Sequence, residues 1–539
     1  MVMPARAPSV SGLRRDARLT GLLFASTTSM IGSGWLFGAF HASKIAGPLS
    51  LWSWVAGALI ILLIALCFAE LGALFPRSGA MVHMSHSTHG EAVGRLWGWM
   101  LFLSYAAVPS VEAEAIVTYA DNYLPYFLQP HSGGMLSATG FLGCAALLGV
   151  FAALNLIAVR KLLYVNSAVT WWKIAVPLAT AATLAVAGAR IHWAAGQSVW
   201  TADRSGYGLD GIVLALPAAG IVFSFLGFRT AIDLGGESAN PGRAIPLAVI
   251  GSVLLSAAIY ILLQFGFLRA LRPADVAHGW SAMTFEGDAG PFAALAAGLG
   301  LGWLATALYI DACVSPAGTG LMYVTGGARI LFAVGELRAG PRWLTTLNGA
   351  QVPLLSVLVM WVVGVLFLLP FPAWQQMVDY ITSITVLTYG LGPIVLLILR
   401  DSQPQLNRAF RLRGAGVIAP LAFIASNWIV YWTGYRTNAF LFTLVAAGFA
   451  AYAAWHHLLA GRPAASFGWK HTPWLFAWFA GMWILSALSD VGGGCGVLSM
   501  GPGVVSVAVW SLLVIGLALR CALPADAIGS AMARLGSTP

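Results

Sequence analysis

Apolar runs of about 20 residues recur along this chain, each long enough to cross about 30 Å of hydrocarbon. Of its 539 residues 59% are apolar and 9% charged, with a mean hydropathy of +0.82. Soluble proteins carry about 25% charged residues. Inside a bilayer every backbone group must be paired within the protein, so the fold class expected is an all-α polytopic membrane protein. The runs give about fourteen spans, near 20–46, 50–75, 96–124, 138–159, 164–188, 210–235, 245–268, 291–327, 352–370, 376–399, 416–434, 438–459, 473–489 and 500–521. Pro48, Pro125, Pro246, Pro353 and Pro473 stand at span edges, where a missing amide hydrogen does little harm.

Two runs are interrupted. The first carries Ile31-Gly32-Ser33-Gly34 at its middle, and the sixth is broken near Phe225-Leu226-Gly227. Helix-breaking sequence survives at membrane depth only where protein or a water-filled cavity pairs the freed groups. Broken spans at matching places in two halves of a chain point to a solute site at the midplane. Gly34 and Gly227 lie about 193 residues apart, and Glu114 and Asp311 about 197. The layout expected is a tail (1–18), a ten-helix inverted-repeat core (19–400, with repeats 19–188 and 209–400), four added spans (415–522) and a second tail (523–539).

The net charge of +9 raises a nucleic-acid reading that the positions of the basic residues refuse. They alternate between rich and poor loops, about 20 on the side of Arg14, Arg77, Arg400 and Arg520 against about 6 on the side of Lys44 and Arg272. That bias places both termini in the cytoplasm and the protein in the plasma (inner) membrane. Residues 1–18 have no apolar core or cleavage site and read as a tail, not a signal peptide. The five cysteines are scattered without metal or disulfide spacing. His83, His86 and His89 read as a solvated loop lacking a complete ligand set. No phosphate-binding glycine loop is present, which argues against an ATP-driven pump. No cofactor is expected.

At the first break, Gly32, Ser33 and Gly34 offer backbone amides at the start of a half-helix, whose positive end favours a carboxylate. The preceding half leaves carbonyls near Ile31 for an ammonium. The bland alternative is a glycine kink or close helix packing. The second break supplies Phe223, Ser224, Leu226 and Gly227 and runs into Arg229, Asp233 and Glu237 on one helical stripe. Arg229 and Asp233 form an intrahelical pair or, alternatively, Arg229 selects substrate charge. Glu112, Glu114, Lys173, Asp311 and Asp379 are further charges inside spans. Ser110, Glu114, Thr118 and Asp121 share a face expected to point into the bundle, with Glu112 on another. Burial drives such groups toward their neutral forms, which suits proton exchange as well as a fixed ion-pair network.

Taken together these residues resemble the amino acid/polyamine/organocation superfamily of permeases. The resemblance rests on Met30-Ile31-Gly32-Ser33-Gly34-Trp35-Leu36-Phe37, on Glu70-Leu71-Gly72-Ala73-Leu74-Phe75-Pro76-Arg77-Ser78-Gly79 and on Glu237-Ser238-Ala239-Asn240-Pro241-Gly242-Arg243-Ala244-Ile245-Pro246. Asn155, Thr170-Trp171-Trp172-Lys173 and Ser315 add to it, and it covers about residues 18–400. It implies ten core helices working by alternating access, with substrate held at the first and sixth spans. It also implies that Lys173 substitutes for a sodium site near Ser315; from their burial, Lys173 and one of Glu114 or Asp311 are expected to carry the coupling charge. Trp35, Arg229 and Glu336-Leu337-Arg338 depart from the family pattern. The fourteen spans and the Ser33–Phe37 run are similar to the aspartate–proton symporter branch.

The function expected is therefore an amino-acid permease, proton-coupled, with a bias toward acidic substrates from Arg229. Its partners would be the amino acid, protons and the lipid bilayer, with the oligomer left open. An amino acid/amine antiporter and a substrate sensor on the same fold are the alternatives. An enzyme is not expected, since no histidine lies clearly inside a span.

Overall fold

The computed structural model describes residues 17–77, 79–130, 134–156, 159–190, 207–285, 290–337, 342–370, 373–454, 456–457 and 467–536. Residues 1–16 of the expected tail, together with Ser78 and Arg338, lie outside that set. Among the described residues there are helices and isolated bridges, with no β-strand.

The helices run in order α1 (Leu19–Met30), α2 (Ser33–Ala46), α3 (Ser50–Leu74), α4 (Ala80–His89), α5 (Glu91–Ala120), α6 (Ala138–Asn155) and α7 (Val159–Arg190). Next come α8 (Leu209–Ala218), α9 (Ile221–Phe225), α10 (Thr230–Asp233), α11 (Pro241–Ala270), α12 (Pro291–Gly298) and α13 (Gly302–Glu336). The remainder are α14 (Leu354–Phe367), α15 (Trp374–Tyr389), α16 (Leu391–Ser402), α17 (Ala415–Thr433), α18 (Tyr435–Ala454), α19 (Pro473–Leu488), α20 (Met500–Arg520) and α21 (Ala525–Gly536). Among the described residues ten helices are long and apolar enough to cross a membrane, or up to eleven if the bent pair α8–α10 is one span. The expected fourteen exceeds that count. One reason is length: α14 and α19 are apolar but only 14 and 16 residues long.

The first interruption falls where the glycines stand, with Ile31 and Gly32 non-helical between α1 and α2. The second does not. The chain bends by 59° between α8 and α9, at Ala219 and Gly220. Gly220 has φ +72°, a left-handed value that favours a residue without a Cβ. Leu226–Arg229, where the break was expected, stays wound as a 3-10 turn.

Helix α5 is the axis of the bundle, its apolar window buried on every side, and it packs against α13, α15, α14 and α6. The added helices are packed onto the core through α17, which touches α3, α8 and α15. Polar side chains join them to one another: Asn427 donates to Ser511 Oγ at 2.8 Å and accepts from Trp478 Nε1 at 2.8 Å. The histidine segment is not a solvated loop. It forms α4, with His83 and His89 buried, and the His89 ring packs on Trp474 at 4.9 Å. The expected second tail contains α21, and the Leu523 amide just before it donates to Thr88 O at 2.8 Å.

Candidate functional site

The two broken spans meet. A Cβ on Gly227 would lie 2.6 Å from Met30 N, so only glycine lets the α9–α10 segment approach the end of α1. One on Gly34 would meet Ser224 Cβ and Phe223 Cδ1 at 3.2 Å. Ser26 Oγ donates to Phe228 O at 3.1 Å and accepts from Ala231 N at 3.0 Å, joining the segments a turn further along.

The groups freed by the breaks are paired by side chains of neighbouring helices. Glu112 of α5 takes the Ser33 amide on Oε2 at 2.8 Å. Gly32 makes room for this, since a Cβ there would stand 2.5 Å from Glu112 Oε1 and 2.7 Å from Thr319 Oγ1. Trp374 Nε1 donates to Ser33 Oγ at 3.0 Å. Tyr260 of α11 donates to Met30 O at 2.8 Å and Ser224 O at 3.1 Å. All four backbone groups expected to meet a zwitterion, the Ser33 amide and the carbonyls of Ile31, Phe223 and Ser224, have protein partners in this structure: Thr319 Oγ1 donates to Ile31 O at 3.3 Å and the Leu226 amide to Phe223 O. The physical reason is burial: all of these atoms are shut from solvent and must be satisfied.

Lys173 reaches the same break from α7. Its ammonium donates to Thr28 O at 2.8 Å and to Thr319 Oγ1 at 2.9 Å, and Thr319 Oγ1 in turn donates to Thr28 O at 2.8 Å. Ser315, expected near Lys173, donates to Asp311 Oδ1 at 2.8 Å, as does Trp172 Nε1. Glu112 and Asp311 both lie within electrostatic reach of the lysine. Glu114 is buried beside the Trp374 backbone, and among the described residues neither of its oxygens has a hydrogen-bond partner. Asp379 is likewise unpartnered at Oδ1. The polar face expected along α5 disperses, because Ser110 bonds Gly364 O at 2.7 Å and Asp121 takes the Phe127 amide at 2.8 Å.

Arg229 and Asp233 are both buried but form no ion pair among the described residues. Tyr105 intervenes: its hydroxyl donates to Asp233, and its ring lies 3.8 Å below the Arg229 guanidinium. The rings of Tyr323 and Tyr389 stand at 5.7 and 5.6 Å. Nη1 of Arg229 donates to Ser104 Oγ at 3.0 Å, while Nε and Nη2 have no hydrogen-bond partner among the described residues. Leu226 O accepts from the Tyr389 hydroxyl. Glu237, last of the stripe, pairs with Arg329 at 2.6 Å. A cationic fork in an aromatic box can receive a carboxylate bidentately.

Residues 19–485 match the family profile described as amino acid permease. The chain is 34% identical over 510 residues to the glutamate/serine transporter AimA of Bacillus subtilis (strain 168), covering 93% of each. It is 30% identical over 517 residues to the aspartate-proton symporter of the same strain, covering 96% of this chain and 98% of that one. The branched-chain amino acid permease BcaP matches at 24%, over 79% of this chain and 89% of its own. This chain belongs to the amino acid permease family. It is a membrane transporter and not an enzyme.

Sequence reasoning about the permease missed Trp374, Tyr260 and Thr319 and gave Glu112 no contact with the break. Nothing in their local sequence marks them, since each becomes a site residue only when α15, α11, α13 and α5 pack around Gly32 and Gly34. The missing Cβ of Gly32 was the one available signal, pointing to close neighbours without naming them.

Proposed function

We propose that this permease carries an amino acid together with protons, acidic amino acids among its substrates, by alternating access across the plasma membrane. Arg229 carries the reading. A buried guanidinium with Nε and Nη2 unbonded, stacked on Tyr105 beside the 3-10 turn at Leu226–Arg229, is a receptor for a side-chain carboxylate. Support also comes from the two relatives whose names specify glutamate/serine transport and aspartate–proton symport.

In this reading the α-carboxylate of the substrate takes the Ser33 amide and its neighbours at Gly32 and Gly34, displacing Glu112. Release from the amide leaves Glu112 free to take a proton. Lys173, between Glu112 and Asp311, holds the cation place beside Thr28 and Thr319 that a sodium ion would otherwise fill. Ser315 enters only through Asp311. Glu114 is the second carboxylate able to load a proton. Both termini lie in the cytoplasm, and spans 1–5 and 6–10 act as inverted halves.

Uptake of L-glutamate, L-aspartate and L-serine into proteoliposomes, with and without an inward proton gradient, tests this. Wild-type protein accumulates the acids only with the gradient. Arg229→Ala loses acid uptake by about 10- to 100-fold, the scale of one charged hydrogen bond, while serine uptake persists. Unchanged glutamate and aspartate uptake in that variant overturns the acidic-substrate assignment. Uptake that requires a counter-substrate inside the vesicle and ignores the proton gradient favours antiport.

A further inference from the structure

A cavity of about 660 Å³ opens at the end of the bundle that carries Lys44, opposite the basic loops. Its wall includes His41 and Lys44 of α2, Thr118 of α5, Ser281, and Gln375 at the start of α15. The floor is aromatic. Phe37, Phe40 and Trp374 form it, with the His41 ring stacked on Trp374 at 5.7 Å and 12° and Phe37 tilted against Trp374 at 4.8 Å and 41°. Trp374 is also the side chain bonded to Ser33 Oγ, so it separates this cavity from the first break. Among the described lining residues none is acidic, and the recorded contact of the half-buried Lys44 ammonium is the face of Phe40, at 5.1 Å. Glu286–Ala289 lie outside the described residues.

One ammonium beside an imidazole, above an aromatic floor, binds a small anion that has an apolar part. The volume falls within the range of small-molecule sites, roughly 300–1,000 Å³. We propose that this cavity is a second substrate station, separate from the helix breaks, where an amino acid rests with a carboxylate on Lys44 and His41 and its carbon chain on Phe40 and Trp374. Acidic amino acids, with net negative charge, are held there in preference to neutral ones. Movement of the Trp374 indole off Ser33 then passes the substrate to the inner site. The proposal takes its cargo from the permease reading above but stands on residues that reading does not use.

The test is equilibrium binding of radiolabelled L-glutamate to purified full-length protein, alongside uptake in proteoliposomes. Wild type binds two equivalents, and Lys44→Gln binds one. In uptake, Lys44→Gln raises KM for glutamate about tenfold at low salt and less at high salt, and raises KM for serine by a smaller factor. Lys44→Arg restores both readouts. A single equivalent in wild type, or two equivalents retained in Lys44→Gln, overturns the station while leaving the transport reading intact. If glutamate is neither bound nor carried by wild type, the acidic cargo is wrong and the station falls with it.

Discussion

The Ser33 amide donates to the Glu112 carboxyl group at 2.8 Å, so the first helix break already holds a carboxyl supplied by the protein itself. A substrate carboxylate arriving at the same amide competes with that side chain. Binding of the substrate and ionisation of Glu112 are then thermodynamically linked, and each must alter the other by the same factor.

Glu112→Gln removes the charge while leaving an oxygen to accept from Ser33. Counterflow of substrate should persist in proteoliposomes, whereas accumulation driven by a proton gradient should fall by about tenfold or more, within the usual range of coupling between sites. Gradient-driven accumulation equal to wild type would remove Glu112 from the coupling.

Gly227→Ala places a methyl group against the backbone of Ser29 and Met30. Backbone there cannot rotate aside as a side chain can, so the two spans must part. The expected cost is about 1–3 kcal/mol or more, as for overpacked cores, together with loss of uptake. Gly21→Ala is the control, since a Cβ there meets nothing within 4 Å. Thermal unfolding in detergent compares the two.

Glu70 is shut from solvent and bonded by Arg400 through Nε at 2.9 Å and Nη2 at 2.6 Å. Arg408 approaches it at 3.0 Å and the Leu412 amide at 2.7 Å. Removing one partner of such a network leaves uncompensated charge, which costs about 3–5 kcal/mol. Glu70→Ala should lower the unfolding temperature more than any substitution at the exposed Leu247, and the stability readout alone decides it.

Burial in α4 pulls His83 and His89 down to about 3. Unfolded, both titrate near 6.5, so below that pH the unfolded chain binds protons that the folded one refuses. Their contribution to stability is present above pH 6.5 and is lost progressively as pH falls toward 3. Unfolding temperature should therefore drop between pH 6.5 and 4, and His83→Leu should flatten that slope. A slope unchanged in both His83→Leu and His89→Leu would falsify the assignment.

The first break was legible because glycine flanks Ser33 inside an apolar run and no other residue type there could be left non-helical so cheaply. The second was misplaced because one residue type serves two ends. Gly220 bends the chain through a positive φ, whereas Gly227 only permits contact with Met30 and leaves the turn wound. Glu112 escaped the helical-face argument for a related reason. That argument needs one polar and one apolar side, and α5 is enclosed all round, so every face meets protein. The tyrosine box around Arg229 draws Tyr105, Tyr323 and Tyr389 from three helices, a convergence that sequence spacing does not encode.

Tyr260 has a consequence for motion. Its one hydroxyl serves carbonyls on both discontinuous spans, like a pin through two leaves of a hinge. Pulling the leaves apart leaves the single hydroxyl proton with one carbonyl and strands the other away from water, at about 1–3 kcal/mol. The cheaper movement keeps them joined, so the end of α1 and α9 travel as one rigid piece while the rest of the bundle tilts around them.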